Sequence, residues 1–232
     1  MRVAVITPYH KEPLALLQRC HQSVLRQSHP CLHVMVADGF PEDEVARWPA
    51  DHVILPREHN DIGSTPRLIG CYHAIGLGYD AVAFLDADNW YREDHIAALV
   101  RLCEQTGAAF ASSGRMLCRL DGSAMAPCHM TDPERFVDTN CMLFARPAFP
   151  VLAQWTLMPD YGHLIGDKIM LHHVKVSGVR RAHNPEATVF YRCGKAGIYD
   201  ALGEPVPEGV QPRPDYDAAL ARWVEDGNPP LK

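Results

Sequence analysis

Ala81-Val82-Ala83-Phe84-Leu85-Asp86-Ala87-Asp88-Asn89-Trp90 is a nearly unbroken apolar run that ends in two carboxylates one residue apart. Such a run, bounded by polar residues, predicts a strand buried on both faces of a sheet. Asp86 and Asp88 then stand at the carboxyl edge of that sheet, where open α/β sheets bind their ligands. Two close carboxylates repel each other unless a cation or a proton relieves them. With oxygen donors only, Mg²⁺ or Mn²⁺ is the natural cation, and both favour phosphate-bearing substrates. The competing reading is an Asp-rich turn that caps the helix beginning near Asp94.

Outward from this stretch the chain alternates strand and helix patterns. Residues 3–7 predict a first buried strand, and residues 14–27 a helix with apolar positions at Leu14, Leu17, Cys20, Val24 and Leu25. A second strand is expected at 32–37, a short helix at 43–47, a brief strand at 53–55 and a helix at 65–76. After Asp94 come a helix through Cys103, a strand at 108–112 and antiparallel hairpin strands around Asp121-Gly122. A strand at 139–144, a short helix at 147–154 and a helix at 166–176 follow. Strands alternating with helices predict βαβ units, right-handed crossovers and a mostly parallel sheet covered on both faces. One domain is expected over residues 1–203. Residues 204–232 form a Pro- and Gly-rich tail, packed on that domain by a helical turn at 218–223.

Bulk properties narrow the function. A chain of 232 residues, 47% hydrophobic and 22% charged, suits a single globular domain. The net charge of −6 opposes a general nucleic-acid binder, which needs a basic face. It does not oppose a nucleotide substrate whose phosphates a metal neutralises locally. The opening residues are too quickly broken for a signal peptide, and no apolar stretch reaches membrane-span length. The eight cysteines are scattered without a CxxC pair. Reduced thiols in a cytoplasmic protein are the expectation. Peripheral membrane association through a partner stays compatible with this.

Four polar sets fall where strands end. Thr7-Pro8-Tyr9 follows the first strand, as a loop under a nucleobase or an ordinary strand-to-helix connection. Asp38-Gly39 follows the second; its carboxylate accepts from a base imide or a ribose hydroxyl, or closes an Asx turn, and Gly39 permits the tight turn. In Asn60-Asp61-Ile62-Gly63-Ser64-Thr65-Pro66-Arg67, Gly63 admits close backbone approach and Pro66 suits a first helical position. Arg67 in the first turn opposes the helix dipole unless an anion lies nearby, either a phosphate or Asp86 or Asp88. The fourth set is Asp86 and Asp88 themselves, rimmed by Asn89-Trp90-Tyr91.

In this order, Thr-Pro-Tyr, Val-Ala-Asp-Gly, Asn-x-x-Gly-x-x-x-Arg and Phe-Leu-Asp-Ala-Asp-Asn, the sequence resembles the family 2 glycosyltransferases of GT-A fold. The likeness is continuous over about the first hundred residues, with weaker echoes to about residue 192. It implies an α/β, Rossmann-like GT-A domain with a small antiparallel element. It also implies a nucleotide-sugar donor (a UDP-sugar ahead of others), Mn²⁺ or Mg²⁺, and inverting transfer to a saccharide or other hydroxyl acceptor. By the same resemblance Thr7, Pro8 and Tyr9 line the nucleoside pocket and Asp38 contacts the base. Gly63 and Arg67 lie beside the nucleotide, Asp86 reaches ribose or metal, and Asp88 ligates the metal.

Later elements extend the resemblance. Asp167, in Gly166-Asp167-Lys168, is the candidate base that deprotonates the acceptor, or else a helix N-cap. Lys168 departs from the pair of acidic residues common in the family at this place. His183 is a candidate metal ligand or an exposed loop histidine, with Tyr191 and Arg192 as phosphate contacts. His163 and the segment Asp138-Thr139-Asn140 are candidates to face the acceptor, the latter alternatively a loop before an edge strand. Trp90 and Trp155 are sugar platforms or core residues. Two rival functions remain on these residues: a nucleotidyltransferase, although residues 9–13 lack the Gly-rich loop, and a non-catalytic nucleotide-sugar-binding module.

Overall fold

The first apolar run becomes β1 (Val3–Tyr9), in which every residue is buried, so it lies inside the sheet with both faces covered. The computed structural model describes residues 1–231; Lys232, the last residue of the expected tail, lies outside the described residues. After β1 the chain forms α1 (Leu14–Leu25), β2 (Cys31–Asp38), β3 (Asp51–Leu55) and α2 (Ser64–Gly76). Then come β4 (Ala81–Phe84), the two-residue β5 (Trp90–Tyr91) and α3 (His95–Thr106). The second half contains β6 (Phe110–Cys118), β7 (Ala124–Pro127), β8 (Met142–Ala145), α4 (Gln154–Leu157) and α5 (Gly166–Val176). The long β9 (Arg181–Arg192) is followed by α6 (Ala196–Leu202) and α7 (Tyr216–Glu225).

Across the sheet the order is β3-β2-β1-β4-β8-β6-β9-β5, with β7 paired to β6 outside that path. The first four strands run parallel, as do β6 and β9, while β8, β5 and β7 are antiparallel additions. Val3 stands opposite Cys31 on one side and Ala81 on the other, so β1, β2 and β4 end on one edge. The α2 helix sits close on this sheet because residue 70 is glycine. A Cβ there would lie 2.5 Å from Ile6 Cγ2 and 2.9 Å from Val36 Cγ2.

Two segments differ from the sequence expectation. Residues 139–144 do not form one edge strand. Asp138 accepts from the Asn140 backbone N–H at 2.9 Å, winding Thr139–Cys141 into a 3₁₀ turn. The strand that follows, β8, lies inside the sheet between β4 and β6. The polar segment with Pro185 is not a loop but the middle of β9. Its irregularity is absorbed by a register shift opposite Gly114, where a Cβ would stand 2.9 Å from the Pro185 carbonyl oxygen. At the carboxyl end, α7 packs on the 3₁₀ turn Asp160–Ile165, and its Ala219 and Trp223 join the main core.

Candidate active site

β2 ends in Asp38, and the chain turns at Gly39 with φ +80°. A Cβ on Gly39 would fall 2.4 Å from the Glu58 nitrogen, so the loop before α2 lies directly against this turn. That closeness lets His59 hold Asp38 twice. Its backbone N–H donates to Oδ2 at 3.2 Å, and its Nδ1 stands 2.6 Å from Oδ1. His59 had no signal in the sequence, because the contact depends on the fold of this loop.

The loop into α2 is bent by three residues in the left-handed region: Asn60 at φ 56°, Ile62 at 55° and Gly63 at 80°. A β-branched residue rarely accepts such a backbone. Asp61 helps hold it, accepting from the Thr65 N–H at 2.7 Å. Arg67, in the first turn of α2, donates to the Ile62 carbonyl at 2.7 Å and is ion-paired with Asp86. The anion expected near Arg67 is therefore present within the chain itself.

Beyond β4, Asp86 and Asp88 lie in a tight turn closed by the Asn89 N–H donating to the Asp86 carbonyl at 3.0 Å. Neither carboxylate caps α3; the residue at its start, Asp94, pairs with Arg92 instead. Their surroundings differ sharply. Asp86 is engaged on both oxygens, by Arg67 on Oδ1 and by Asn140 Nδ2 at 2.9 Å on Oδ2. Asp88 has only Arg192, at 3.9 Å, as a cationic neighbour among the described residues. Burial and the Asp86 charge push the Asp88 carboxyl up to about 7. A cavity of about 570 Å³ opens here, lined by Pro8, Tyr9, Asp38, Gly63, Arg67, Asp86 and Asp88, together with Arg192 and Lys195. That volume suits a small-molecule ligand.

Of the first set, Pro8 and Tyr9 line this cavity as expected, and Thr7 does not. β1 continues two residues further than the sequence pattern indicated, so Thr7 stays inside, with its hydroxyl 2.9 Å from His33 Nε2. The Tyr9 ring is buried, its hydroxyl accepting from the Glu42 N–H at 3.0 Å and lying 2.6 Å from His52 Nε2. Trp90 and Trp155 are packing residues. Trp90 stacks on Phe190 at 5.5 Å, and Trp155 meets Phe84 edge-on at 5.6 Å.

His183 stands apart from the carboxylates. It lies near the start of β9, opposite Ser112, whose Oγ is 2.9 Å from its Nδ1. It lines a separate cavity of about 350 Å³. Arg192, which reaches Asp88, is nine residues further along the same strand, a separation of roughly 25–30 Å at the usual rise. A metal shared by Asp88 and His183 is therefore ruled out by the strand between them. His163 lies against the start of α2, its Nδ1 2.9 Å from Ser64 Oγ, next to the cavity residue Gly63.

Asp167 is the second residue of α5 and makes no capping bond; the cap position is Ile165. Its carboxyl is pushed up from the usual carboxylate range, chiefly by burial and then by Asp138, against a lowering by Arg115. Asp86 adds a smaller upward push. Asp138 is itself ion-paired with Arg115, and both are buried. Arg115 was missed in the sequence, although an arginine inside the otherwise small and apolar run Phe110–Cys118 was its signal.

Known proteins resemble this architecture. The sequence matches the family described as "Glycosyl transferase family 2" over residues 4–160. No curated protein matches it in sequence. Among solved structures, S. aureus TarS 1-349 in complex with UDP has a TM-score of 0.64 at 13% identity, covering 83% of this chain and 60% of that one. The same protein in complex with UDP-GlcNAc gives 0.61 at 12% identity, covering 90% and 60%. S. aureus TarS itself gives 0.62 at 12% identity, covering 97% of this chain and 43% of that one. This chain thus spans less than two thirds of those TarS chains, and at such identities the likeness speaks for the GT-A fold. With well over half of its residues matched by the family, the chain belongs to glycosyl transferase family 2.

Proposed function

We propose that the chain transfers a sugar from a nucleoside-diphosphate sugar to a saccharide or other hydroxyl acceptor, with inversion and with a divalent cation. The observation that carries this reading is the asymmetry of the two carboxylates. Asp86 is neutralised within the protein, whereas Asp88, two residues on, is left with one distant arginine and a carboxyl raised to about 7. A site short of one positive charge, with a hard oxygen donor, fits Mg²⁺ or Mn²⁺. Among the described residues no group of three or more His, Cys, Asp or Glu is arranged to hold a metal. That suits a cation whose other ligands come from phosphate and water.

In this reading Asp88 holds the cation, which when bound stabilises the charge gathering on the leaving diphosphate. Pro8, the Tyr9 backbone, Asp38, Gly63, Arg67 and Asp86 bind the nucleotide; Thr7 supports them from behind, within the core. The TarS structures with UDP and with UDP-GlcNAc support a uridine nucleotide. Asp167 accepts the proton of the acceptor hydroxyl as its oxygen bonds to the anomeric carbon. The bond from that carbon to the diphosphate oxygen breaks on the opposite face, and its electron pair leaves with the nucleoside diphosphate. A base of this kind contributes about 10² to 10⁴ in rate. None of the helices among the described residues is long and apolar enough to cross a membrane. Eight free cysteines support work in the cytoplasm.

The test incubates the protein with a panel of nucleotide sugars and hydroxyl acceptors in Mn²⁺, then adds excess chelator. Release of nucleoside diphosphate that stops on chelation supports the reading. Release of pyrophosphate would favour a nucleotidyltransferase. Donor binding with neither product would favour a binding module, the reading to which Lys168 beside Asp167 lends weight.

A further inference from the structure

We propose that Asn140, Asp138 and Arg115 form a positioning bridge that locks the donor carboxylate Asp86 and the surroundings of Asp167 into one frame. The inference rests on the roles proposed above for Asp86 and Asp167. Asn140 is buried in the 3₁₀ turn before β8 and uses its whole amide. Its Oδ1 accepts from the Asp86 N–H at 2.5 Å, and its Nδ2 donates to Asp86 Oδ2 at 2.9 Å and to Asp138 Oδ1 at 2.7 Å. Asp138, 5% exposed, also receives the Asn140 N–H at 2.9 Å and pairs through Oδ2 with Arg115. Arg115, 6% exposed, lies against the Tyr191 ring at 4.2 Å and the Phe136 ring at 5.3 Å. Tyr191 in turn lines the cavity at Asp88.

The bridge thus runs without a break from the Arg67–Asp86 pair to Arg115, and the Phe136 ring beside Arg115 also lies 5.9 Å from the ammonium of Lys168, the residue next to Asp167. A pair of buried charges is a poor way to gain stability, because desolvation offsets their attraction. Here the Arg115 Nε is left without a partner, so the pair is not optimised as a staple. What a connected buried network does supply is rigidity. Transfer needs the acceptor oxygen held against the anomeric carbon, and a misplacement of about 1 Å costs about 10²-fold in rate. A link that fixes the donor carboxylate relative to the base side holds that geometry.

The test compares Asp138→Asn, Asn140→Ala, Arg115→Met and Arg115→Lys, with melting temperature, donor KM and kcat measured on folded protein. Asp138→Asn keeps the shape of the link but removes the charge; kcat is expected to fall 10- to 100-fold with donor KM within about threefold. Asn140→Ala frees Asp86 and is expected to raise donor KM as well. Arg115→Lys is expected to recover at least tenfold of the kcat that Arg115→Met loses. A purely structural role would lower the melting temperature and leave kcat within twofold, and that result overturns the proposal. If Asp138→Asn does not fold, the Arg115→Met and Arg115→Lys pair decides by the same criterion. A wild-type protein with no transfer at all overturns the functional reading, which separates the two failures.

Discussion

Two aspartates separated by one alanine stand in different surroundings because the fold supplies their neighbours unequally. Asp86 gains Arg67 and Asn140, while Asp88, half-buried beside it, gains repulsion from Asp86 and one arginine at 3.9 Å. The sign of the consequence follows. The native Asp88 carboxyl is held at about 7 against an ordinary 3.8, so the folded state binds more protons between about pH 4 and 7. Stability without metal therefore falls as pH rises across that window. In chelator at pH 8, Asp88→Asn is expected to melt a few degrees above wild type, with the gap closing toward pH 4; a lower melting temperature at pH 8 would contradict this. The same variant is expected to lose the cation-dependent part of donor binding in calorimetry. For Asp167, a base must be ionised, and burial and Asp138 raise its carboxyl. The rate is expected to drop on acidification at a pH above that of an ordinary carboxylate, and Asp167→Asn to cost 10²-fold or more in kcat while leaving donor affinity within about threefold. At this scale the gathering of Asp38, Gly63, Arg67, Asp86 and Asp88 around one cavity was legible, since each stands at a strand end or a helix start. Thr7 does not reach the cavity because β1 runs on to Tyr9 and the Thr7 hydroxyl is held in the core by His33.

Among the elements, α2 does the most to shape the site, because it carries Arg67 and begins in the bent loop at Gly63. Its closeness to the sheet depends on Gly70. Gly70→Ala places a methyl 2.5 Å from Ile6 and is expected to cost about 1–3 kcal/mol, read as a lower denaturant midpoint with unchanged m-value. It is also expected to weaken donor binding, because the first turn carrying Arg67 moves with the helix. Unaltered stability would mean that α2 has room the packing does not show. The α2 start was readable from Gly63 and Pro66, whereas β9 was not. Asn184 and Pro185 break the apolar pattern, and only pairing with β6 across the Gly114 shift makes that segment a strand. The same pairing sets His183 opposite Ser112 and away from Asp88.

Over the whole molecule, the parallel half of the sheet carries the carboxylate cavity, and α5, which carries the proposed base Asp167, lies with α7 on the mixed half. The carboxyl-terminal helix is part of this second half. Trp223 is buried in the core with its Nε1 donating to the Pro229 carbonyl at 2.8 Å, and the Tyr161 hydroxyl donates to Asp226 at 2.7 Å. Trp223→Ala is expected to cost about 3–5 kcal/mol, a fall in melting temperature of about 10 °C. The alternation of strands and helices was legible from periodicity alone. The docked terminal helix was also expected, at 218–223, and the structure extends it to Tyr216–Glu225; the antiparallel insertion of β8 was not legible, since it is settled by long-range packing. The most direct measurement is NMR of the anomeric proton during the first turnovers with a nucleotide sugar, Mn²⁺ and a hydroxyl acceptor. The expected product carries the anomeric configuration opposite to that of the donor; a product with the donor's own configuration would contradict single displacement assisted by Asp167.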